Sequence, residues 1–277
     1  MKLRTFYKIY YEHRFKKANF ILKFYIIIVI LFKYVITNYP KKINLDSFSK
    51  NHKELFNRDF DYLCKNFNTD KGSYFIDQFS KNNSTKKIAG HNYSTFYENI
   101  FFNIKDNIKS ILEIGSFKGN AIAVFYFYFK NSKIISTDLY PDLFLYESNR
   151  IRNFLLDASS EISISTFKEK LINFDLIIDD ASHYLKDQII SLFLLFNRLN
   201  SGGYFIIEEL DFPDTRHDMN INNEAPSLRE ILISIKNNKD FNSKFISSED
   251  KKYLLNNYDS ISILKGRFNE IAFIKKK

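Results

Sequence analysis

Short apolar runs alternate with longer amphipathic segments from residue 110 onward. The runs have the length of buried strands, and the segments between them have helical spacing. The predicted strands are Ser110–Ile114, Lys133–Thr137, Arg152–Leu156, Phe174–Ile178 and Gly203–Ile207. The predicted helices between them are Asn120–Phe129, Glu161–Ile172 and Leu185–Leu199. This alternation predicts a parallel sheet with helices on both faces.

The end of the chain has a different pattern. The runs "SISILKG" and "EIAFIKKK" flank a short "RFN" turn, which predicts an antiparallel hairpin. The five strands and this hairpin predict an α/β fold with a Rossmann-like, seven-stranded, mostly parallel sheet. The polar stretch "KNNSTKK" at 81–87 predicts an exposed loop.

The most hydrophobic stretch, "FILKFYIIIVILFKYVIT", lies at 20–37. Its uninterrupted part, Phe24–Phe32, is bracketed by Lys23 and Lys33 and is shorter than the roughly 20 residues of a spanning helix. Three alternatives stay open: a helix on a membrane surface or partner, a true span, or a buried helix. A span would hold the basic amino terminus in the cytoplasm and place the rest outside, away from cytosolic cofactors. We therefore expect a cytoplasmic protein with membrane-surface contact through residues 18–39.

The positive charge is concentrated near the amino terminus. The net charge is +9, yet residues 1–58 hold thirteen basic and three acidic side chains, so the remaining chain is close to neutral. A nucleic-acid enzyme carries its basic surface on the domain that grips the phosphates, so this distribution argues against a nucleic-acid partner. Cys64 is the only cysteine, which excludes an intrachain disulfide and a cysteine-based zinc site. We divide the chain into a basic extension, 1–59, and a main domain, 60–277.

Every predicted parallel strand carries an acidic residue at its carboxyl end. In such a sheet, ligands bind outside the carboxyl ends of the strands. The acids at those ends are Glu113, Asp138, Asp157, Asp179, Asp180, Glu208 and Glu209. A phosphate site would instead require lysines and bare amides. The pattern therefore favours a neutral or cationic ligand, or a metal.

A glycine loop, "GSFKG", follows the first of these strands. Gly115 and Gly119 have the spacing G-x-x-x-G rather than the dinucleotide fingerprint G-x-G-x-x-G, so a plain strand-to-helix turn is the alternative. Asp138 lies at the end of the next strand, where an acid can accept hydrogen bonds from ribose hydroxyls. Together the two features favour a ligand that contains a nucleoside.

The motifs "ILEIGSFKG", "STDLY", "FDLIIDDASH" and "GGYFIIEEL" resemble, in this order, those of the class I S-adenosylmethionine-dependent methyltransferases. Within that family the chain is most similar to the metal-dependent sugar O-methyltransferases of macrolide and other antibiotic pathways. "NTDKGSY" and "HNYSTFYENIF" resemble the segment that opens the catalytic domain of that branch. The resemblance extends from Phe60 to Lys277.

The resemblance implies a cofactor site for S-adenosyl-L-methionine. The residues that would shape it are Glu113, Gly115, Ser116 and Gly119, with Asp138 on the ribose and Asp157 near the adenine. The alternative for Asp157 is a helix N-cap. Because neighbouring strand residues point to opposite faces, we expect Asp179 to face the cofactor and Asp180 the substrate.

Asp180, Glu208 and Glu209 are the predicted metal ligands. Three carboxylates at one point repel unless a cation lies between them, and oxygen ligands suit Mg²⁺ or a similar hard metal. The family has an Asp followed by a Glu-Asp pair, so this chain departs from it at Glu209. Asp211 is a possible substitute ligand.

His183 is the predicted general base, because the resemblance marks its position and a histidine near neutrality can accept a hydroxyl proton. The alternative is a capping or surface histidine. His91 is a weaker candidate, and the neighbouring Tyr93 and Tyr97 either close over the cofactor or pack inside the domain.

The sequence thus predicts a metal-assisted O-methyltransferase that acts on a sugar hydroxyl or on another small hydroxylated acceptor. Two alternatives remain: methyl transfer to a different kind of small molecule, and a non-catalytic or membrane-associated nucleoside-binding module with the same fold.

Overall fold

The fold was obtained as a computed structural model that describes residues 1–37, 39–77, 86–169 and 172–277. The helices are α1 (Leu3–Tyr10), α2 (Glu12–Lys17), α3 (Phe20–Ile36), α4 (Leu45–Asn51), α5 (Phe60–Phe67), α6 (Ser94–Phe101), α7 (Asn120–Tyr128), α8 (Glu161–Lys168), α9 (Leu185–Leu195), α10 (Phe212–Thr215), α11 (Leu228–Lys236) and α12 (Ser248–Asn257). The strands are β1 (Ile43–Asn44), β2 (Tyr74–Ile76), β3 (Lys87–Ala89), β4 (Ser110–Ile114), β5 (Lys133–Asp138), β6 (Tyr146–Glu147), β7 (Ile151–Leu155), β8 (Phe174–Asp179), β9 (Leu199–Ile207), β10 (Tyr258–Lys265) and β11 (Glu270–Lys276). Most of the predicted loop at 81–87 lies outside the described residues.

A seven-stranded sheet has the order β10–β11–β9–β8–β4–β5–β7. The strands β9, β8, β4, β5 and β7 pair in parallel, whereas β11 is antiparallel to both β9 and β10. The predicted α/β fold, with its mostly parallel sheet and C-terminal hairpin, is therefore confirmed. The chain runs outward from β4 through β5 to β7 and then returns to the other side of β4 for β8. The topological switch point, where such sheets bind ligands, thus lies between β4 and β8.

Two hydrophobic cores cover the two faces of this sheet. Ile111 and Ile178 point into one core together with α5, α6 and α7, whereas their neighbours Leu112 and Ile177 point into the other with α8, α9, α11 and α12. This division follows from the alternation of side chains along a strand. Each fully buried Ile or Leu contributes about 1.5–3 kcal/mol, so the cores fix the sheet that carries the strand ends.

The predicted elements differ from the observed ones mainly at their ends. The predicted helix Leu185–Leu199 ends at Leu195 and continues as a short 3₁₀ turn, Phe196–Arg198. Leu199 instead begins β9 and pairs with Phe174 of β8. Two small sheets were not predicted, the parallel pair β1–β6 and the antiparallel pair β2–β3. Their strands have only two or three residues each, which is too short for a periodic pattern.

Helices α1, α2 and α3 form a small core of their own around Phe6, Ile26 and Ile30. Thr5 ties them to the main domain, because its hydroxyl donates a 2.8 Å hydrogen bond to Asp142. Leu45, within the predicted extension, packs in the core of the main domain, and the division of the chain at residue 59 stays a prediction. Within the described ranges, no helix combines the length and the apolar character needed to cross a membrane.

Candidate active site

The carboxyl ends of β4, β8 and β9 lie level with one another at the switch point. Asp179, the last residue of β8, pairs with Ile114 on one side and with Ile207 on the other. The ladder continues one residue further, since the Asp180 amide donates to the carbonyl of Ile114 at 2.9 Å and the Glu208 amide to that of Asp179 at 3.0 Å. The structure therefore brings the acids of three strands to one edge of the sheet.

The glycine loop after β4 packs against the end of β8. Gly115 has φ +90°, and a Cβ atom there would lie 2.1 Å from the carbonyl oxygen of Asp180. Gly119 has φ +84°, and its Cβ would lie 2.3 Å from the ring of Phe144. Only glycine fits at either position. The close approach leaves a cavity of about 200 Å³ lined by Asn68, Thr69, Asp70, Glu113, Gly115, Ser116, Phe117, Lys118, Asn120, Ala121 and Asp180.

Glu113 and Ser116 present buried polar atoms beside this cavity. Neither carboxylate oxygen of Glu113 nor the hydroxyl of Ser116 has a hydrogen-bond partner among the described residues. Burial raises the pKa of Glu113 to about 7, although the ammonium of Lys71 acts in the opposite direction. Unsatisfied buried polar groups are rare in proteins, so a donor or cationic group of a ligand fits here.

Asp138 holds the glycine loop, because its carboxylate accepts hydrogen bonds from the amides of Phe117 at 2.8 Å and Tyr140 at 2.7 Å. Burial raises its pKa, and these two amides oppose that shift. Asp179 turns back on its own chain and accepts from the amide of Ala181 at 3.2 Å. Burial raises the pKa of Asp179 to about 7. Asp180 rather than Asp179 lines the cavity at the glycine loop.

Asp157 lies in the turn between β7 and α8. Its carboxylate accepts from the amide of Ser159 at 3.0 Å and from the hydroxyl of Ser159 at 2.6 Å. The N-cap of α8 is Ser160, whose side chain accepts from the amide of Ser163. The alternative that Asp157 caps this helix is therefore wrong, and its contact with an adenine ring stays a prediction.

A buried lysine lies in the acidic cluster formed by Asp180, Glu208 and Glu209. The ammonium of Lys71 contacts Asp180 and lies 2.6 Å from Glu208 Oε2, and the side chain of Lys71 is only 1% exposed. Burial disfavours the ammonium, but Asp180 and Glu208 outweigh this effect and raise the pKa of Lys71 well above its ordinary value. The hydroxyl of Tyr97 donates to Glu208 Oε1 at 2.8 Å. Both oxygens of Glu208 are thus engaged within the protein.

Asp180, His183 and Glu209 form a second group, in which one ligand atom from each residue lies within 4.8 Å of the others. Glu209 Oε2 is buried and has no hydrogen-bond partner in the described part of the chain. His183 Nδ1 lies 3.8 Å from this oxygen, and His183 Nε2 lies 3.7 Å from Asp180 Oδ1. These separations exceed hydrogen-bond length. The group can therefore hold a small cation, and its donor set of carboxylates with one imidazole suits a divalent metal.

His183 and Glu209 both adopt left-handed backbone conformations, with φ values of 59° and 45°. Such geometry in a non-glycine residue costs about 1–3 kcal/mol and clusters at functional sites. Burial lowers the pKa of His183, although Asp180 acts in the opposite direction. His183 is therefore neutral near pH 7, the form that accepts a proton or binds a metal.

His91 lies on the other side of Glu209, with 3.2 Å between His91 Nε2 and Glu209 Oε1. His91 Nδ1 lies 3.2 Å from the side-chain amide nitrogen of Asn269. That amide nitrogen is a donor, so Nδ1 accepts, and the proton of neutral His91 lies on Nε2, the ring nitrogen nearer to Glu209. Burial lowers the pKa of His91. His91 therefore orients Glu209 and, unlike His183, has no free acceptor nitrogen directed at the cluster.

The sequence pattern predicts no role for Lys71 in the site, and it makes His91 only a weaker candidate for the general base than His183. Backbone hydrogen bonds join their segments, from His91 N to Asp70 O at 2.7 Å and from Ser94 N to Lys71 O at 2.9 Å. A Cβ on Gly90 would lie 2.2 Å from the carbonyl oxygen of Gly72, so the glycines of "DKG" and "AGH" were the available signal. They mark a close approach of two backbones.

The remaining candidates have structural contacts. Tyr93 and Tyr97 are fully buried in the core, so they pack inside the domain, although the hydroxyl of Tyr97 reaches the cluster. Asp211 lies 2.8 Å from the ammonium of Lys265 and accepts from the amide of Glu270 at 2.9 Å. Asp211 is therefore engaged by the C-terminal hairpin and does not stand in for a ligand of the cluster.

The sheet order, the glycine loop and the acids at the switch point define the fold of the class I methyltransferases. The MycE methyltransferase from the mycinamycin biosynthetic pathway, in complex with Mg and SAH, superimposes with a TM-score of 0.59 at 18% identity, over 79% of this chain and 55% of that chain. A second MycE complex, with Mg, SAH and mycinamycin VI, has a TM-score of 0.58 at 18% identity, over 79% of this chain and 54% of that chain. At this level of identity the likeness supports the fold alone.

Two curated relatives come from Streptomyces olivaceus. The 8-demethyl-8-alpha-L-rhamnosyl tetracenomycin-C 2'-O-methyltransferase is 26% identical over 127 residues, 43% of this chain and 33% of that protein. The 8-demethyl-8-(2-methoxy-alpha-L-rhamnosyl)-tetracenomycin-C 3'-O-methyltransferase is 27% identical over 127 residues, 43% of this chain and 32% of that protein. The chain thus matches about a third of the length of these relatives. No protein-family model matches it.

Proposed function

We propose that this chain is an S-adenosylmethionine-dependent O-methyltransferase that acts on a hydroxyl of a sugar or other small hydroxylated acceptor. The observation that carries the proposal is the position of Asp180, which lines the cavity at the glycine loop and also belongs to the cation-binding group with His183 and Glu209. A cofactor in that cavity and an acceptor bound at the cation-binding group would therefore both lie beside Asp180. The names of the two curated relatives support the choice of a sugar hydroxyl.

The cofactor half of the site would use Glu113, Gly115, Ser116 and Gly119. The unpaired carboxylate of Glu113 suits the ammonium of the methionine portion, and the two glycines let the backbone approach the ligand closely. In the same arrangement, Asp138 would accept from the ribose hydroxyls, and Asp157 and Asp179 would lie at the edges of the pocket.

The acceptor half would use His183 as general base. A ring nitrogen of His183 would take the hydroxyl proton while the acceptor oxygen forms its bond to the methyl carbon and the carbon–sulfur bond of the cofactor breaks. A divalent cation, when bound, lowers the pKa of a hydroxyl beside it. Asp180 and Glu209 would hold that cation, since Mg²⁺ commonly uses one or two carboxylates and keeps several waters.

Release of S-adenosylhomocysteine tests the proposal. Purified full-length protein is incubated with S-adenosylmethionine and methyl α-L-rhamnopyranoside or other simple glycosides, and a methyl ether is sought by mass spectrometry. Turnover that is lost with EDTA and restored by Mg²⁺ is expected. Binding of S-adenosylhomocysteine without turnover on any glycoside would support the non-catalytic module instead, and turnover insensitive to EDTA would reject the metal.

We further propose that α3 contacts an anionic membrane surface. Its side chains include Phe20, Val35 and Phe24, which are 87%, 81% and 65% exposed, and basic residues flank it from Arg14 to Lys42. An apolar helix with basic flanks binds in the interface of anionic bilayers. The full chain should sediment with phosphatidylglycerol vesicles and remain in solution with neutral phosphatidylcholine vesicles. Equal sedimentation with both kinds of vesicle would contradict the role of the basic residues in membrane binding.

A further inference from the structure

The acidic cluster has an inner part, formed by Glu208 with Lys71 and Tyr97, and an outer part at Glu209. The inner part already contains a cation. Lys71 contacts Asp180 and lies 2.6 Å from Glu208, whose other oxygen accepts from Tyr97 at 2.8 Å. Lys71, Tyr97 and Glu208 are all almost completely buried. A buried carboxylate with a charged and a neutral donor has its hydrogen-bonding needs met. Glu208 therefore has no oxygen to offer without breaking one of these contacts.

The outer part of the cluster lacks such a cation in the described structure. Glu209 is 5% exposed, and its Oε2 atom has no hydrogen-bond partner. Glu209 belongs to the same 4.8 Å group as Asp180 and His183, and its Oε2 atom lies 3.8 Å from His183 Nδ1. Lys71 contacts Asp180 and Glu208, whereas the described ion pairs of the Glu209 carboxylate are with the histidines His91 and His183. A buried carboxylate without a cationic partner is costly, so a divalent cation would stabilise Glu209 here.

We propose that Lys71 is a positioning residue that divides the cluster: it withholds Glu208 from metal binding and confines a divalent cation to the outer part, between Asp180 and Glu209. The proposal rests on the metal-binding part of the proposed function. It changes the ligand set that the sequence predicts, in which Glu208 is a ligand equal to the other two acids. The confined cation lies beside His183, on the side where the acceptor hydroxyl must bind to lose its proton.

Backbone hydrogen bonds fix the segment that carries Lys71 against the segment that carries His91. The Lys71 carbonyl accepts from the Ser94 amide, and the Asp70 carbonyl accepts from the His91 amide. The same pair of segments thus places an ammonium on Glu208 and His91 Nε2 3.2 Å from Glu209 Oε1. Only the second oxygen of Glu209 remains for the cation.

Binding of Mn²⁺ alone to the full-length protein, measured calorimetrically without cofactor or acceptor, tests the proposal whether or not methylation is found. Lys71→Met should tighten Mn²⁺ binding by about tenfold or more, because a nearby positive charge is lost and Glu208 is released. Glu209→Gln should weaken binding by about tenfold or more, whereas Glu208→Gln should change it less than about threefold. Lys265→Met, which removes an ammonium 2.8 Å from Asp211 outside the cluster, is the matched control and should leave Mn²⁺ affinity unchanged.

The direction of the Lys71→Met effect separates positioning from general structural damage, which would weaken binding. Thermal melts identify any variant that fails to fold, and the two Glu→Gln variants test the division without altering Lys71. Equal losses from Glu208→Gln and Glu209→Gln, unchanged or weaker binding in a folded Lys71→Met variant, or no Mn²⁺ binding by the wild type would each overturn the proposal.

Discussion

The acidic cluster and helix α3 both depart from the usual distribution of polar and apolar residues. The cluster places charged groups in the interior, whereas α3 places apolar side chains on the surface. The cluster holds two buried carboxylates, one half-buried carboxylate and a buried ammonium at the end of the sheet, whereas α3 exposes most of its apolar side chains. Exposed apolar patches and buried unpaired polar atoms are the informative exceptions in a folded protein. Glu209 Oε2 lacks a polar partner among the described residues, and the exposed face of α3 presents apolar side chains to solvent, so each region indicates a ligand of its own kind.

The two regions differ in how firmly the fold holds them. The cluster lies on β8 and β9, whose ends are fixed by a continuous ladder and by two cores. Helix α3 packs against the small core of the extension. A site on rigid elements can keep the precise geometry that chemistry needs, whereas a surface anchor needs only exposed area. Changes in the cluster should therefore cost far more activity than changes in α3.

The largest expected effect comes from His183→Ala. Loss of a general base lowers kcat/KM by about 100-fold or more. Mn²⁺ affinity should fall less than the roughly tenfold loss expected when a ligand is removed, because Asp180 and Glu209 remain. Initial rates of S-adenosylhomocysteine release and calorimetric Mn²⁺ titration measure the two quantities.

The control for this variant is His217→Ala, the same substitution at an exposed position, which should retain full activity. If Mn²⁺ binding is lost together with activity in His183→Ala, His183 is a metal ligand, and its role as general base is wrong.

Gly115→Ala tests how closely the glycine loop and β8 must approach. Its Cβ would lie 2.1 Å from the Asp180 carbonyl oxygen at φ +90°, so the free energy of unfolding should fall by about 3 kcal/mol or more and binding of S-adenosylhomocysteine should be lost. Gly202→Ala is the matched control, because its φ is +75° but no atom lies within 4 Å of the added Cβ. It carries the backbone strain alone, about 1–2 kcal/mol. Similar losses in urea denaturation of both variants would contradict the steric argument.

Much of the fold could be predicted because burial on both faces of the sheet produces continuous apolar runs. The run Phe174–Ile178 lies between β4 and β9, and it ends within one residue of the observed strand. The end of α9 was missed because Leu199 continues the helical pattern but gains a strand partner in Phe174. That pairing is a tertiary contact, and tertiary contacts override local propensity.

In the site, each acid that follows a strand could be predicted from parallel topology alone, because the ends of parallel strands meet at one edge. Lys71 could not be predicted in this way, since it comes from a turn after α5, far from the sheet in sequence. Its position depends on hydrogen bonds between two loops, such as that from Ser94 to Lys71. A lysine in a polar segment is ordinarily solvated, so the local sequence pattern does not predict that Lys71 is buried in the cluster.

Glu113→Gln tests the buried acid beside the cavity through the pH dependence of stability. The pKa of Glu113 rises from 4.5 to about 7 by burial, with Lys71 opposing and Asp180 and Asp138 reinforcing the shift. An acid with a raised folded-state pKa destabilises the fold as it ionises, so wild-type stability should fall as the pH rises from 4.5 to about 7. Glu113→Gln should lack this fall and be more stable than the wild type by about 2–3 kcal/mol near pH 8.

Urea denaturation at a series of pH values gives this comparison. The two proteins should agree best near pH 4.5, where the folded wild type carries a neutral Glu113 side chain. Parallel pH profiles would show that Glu113 is already ionised in the folded protein, with a partner that the described contacts do not include.

The smallest expected effect is in α3, where Ile28→Glu replaces a side chain that is 52% exposed. Binding to phosphatidylglycerol vesicles should weaken by roughly tenfold, because one isoleucine no longer enters the apolar region and a negative charge is added. Ile162→Glu makes the same change at an 80% exposed position of α8, and it should leave vesicle binding as in the wild type. Methylation of a soluble acceptor should be equal in both variants, because neither residue touches the cluster. If Ile28→Glu reduced that methylation while vesicle binding stayed the same, the contrast between a rigid chemical site and a separate surface anchor would fail, since α3 would then act on the site itself.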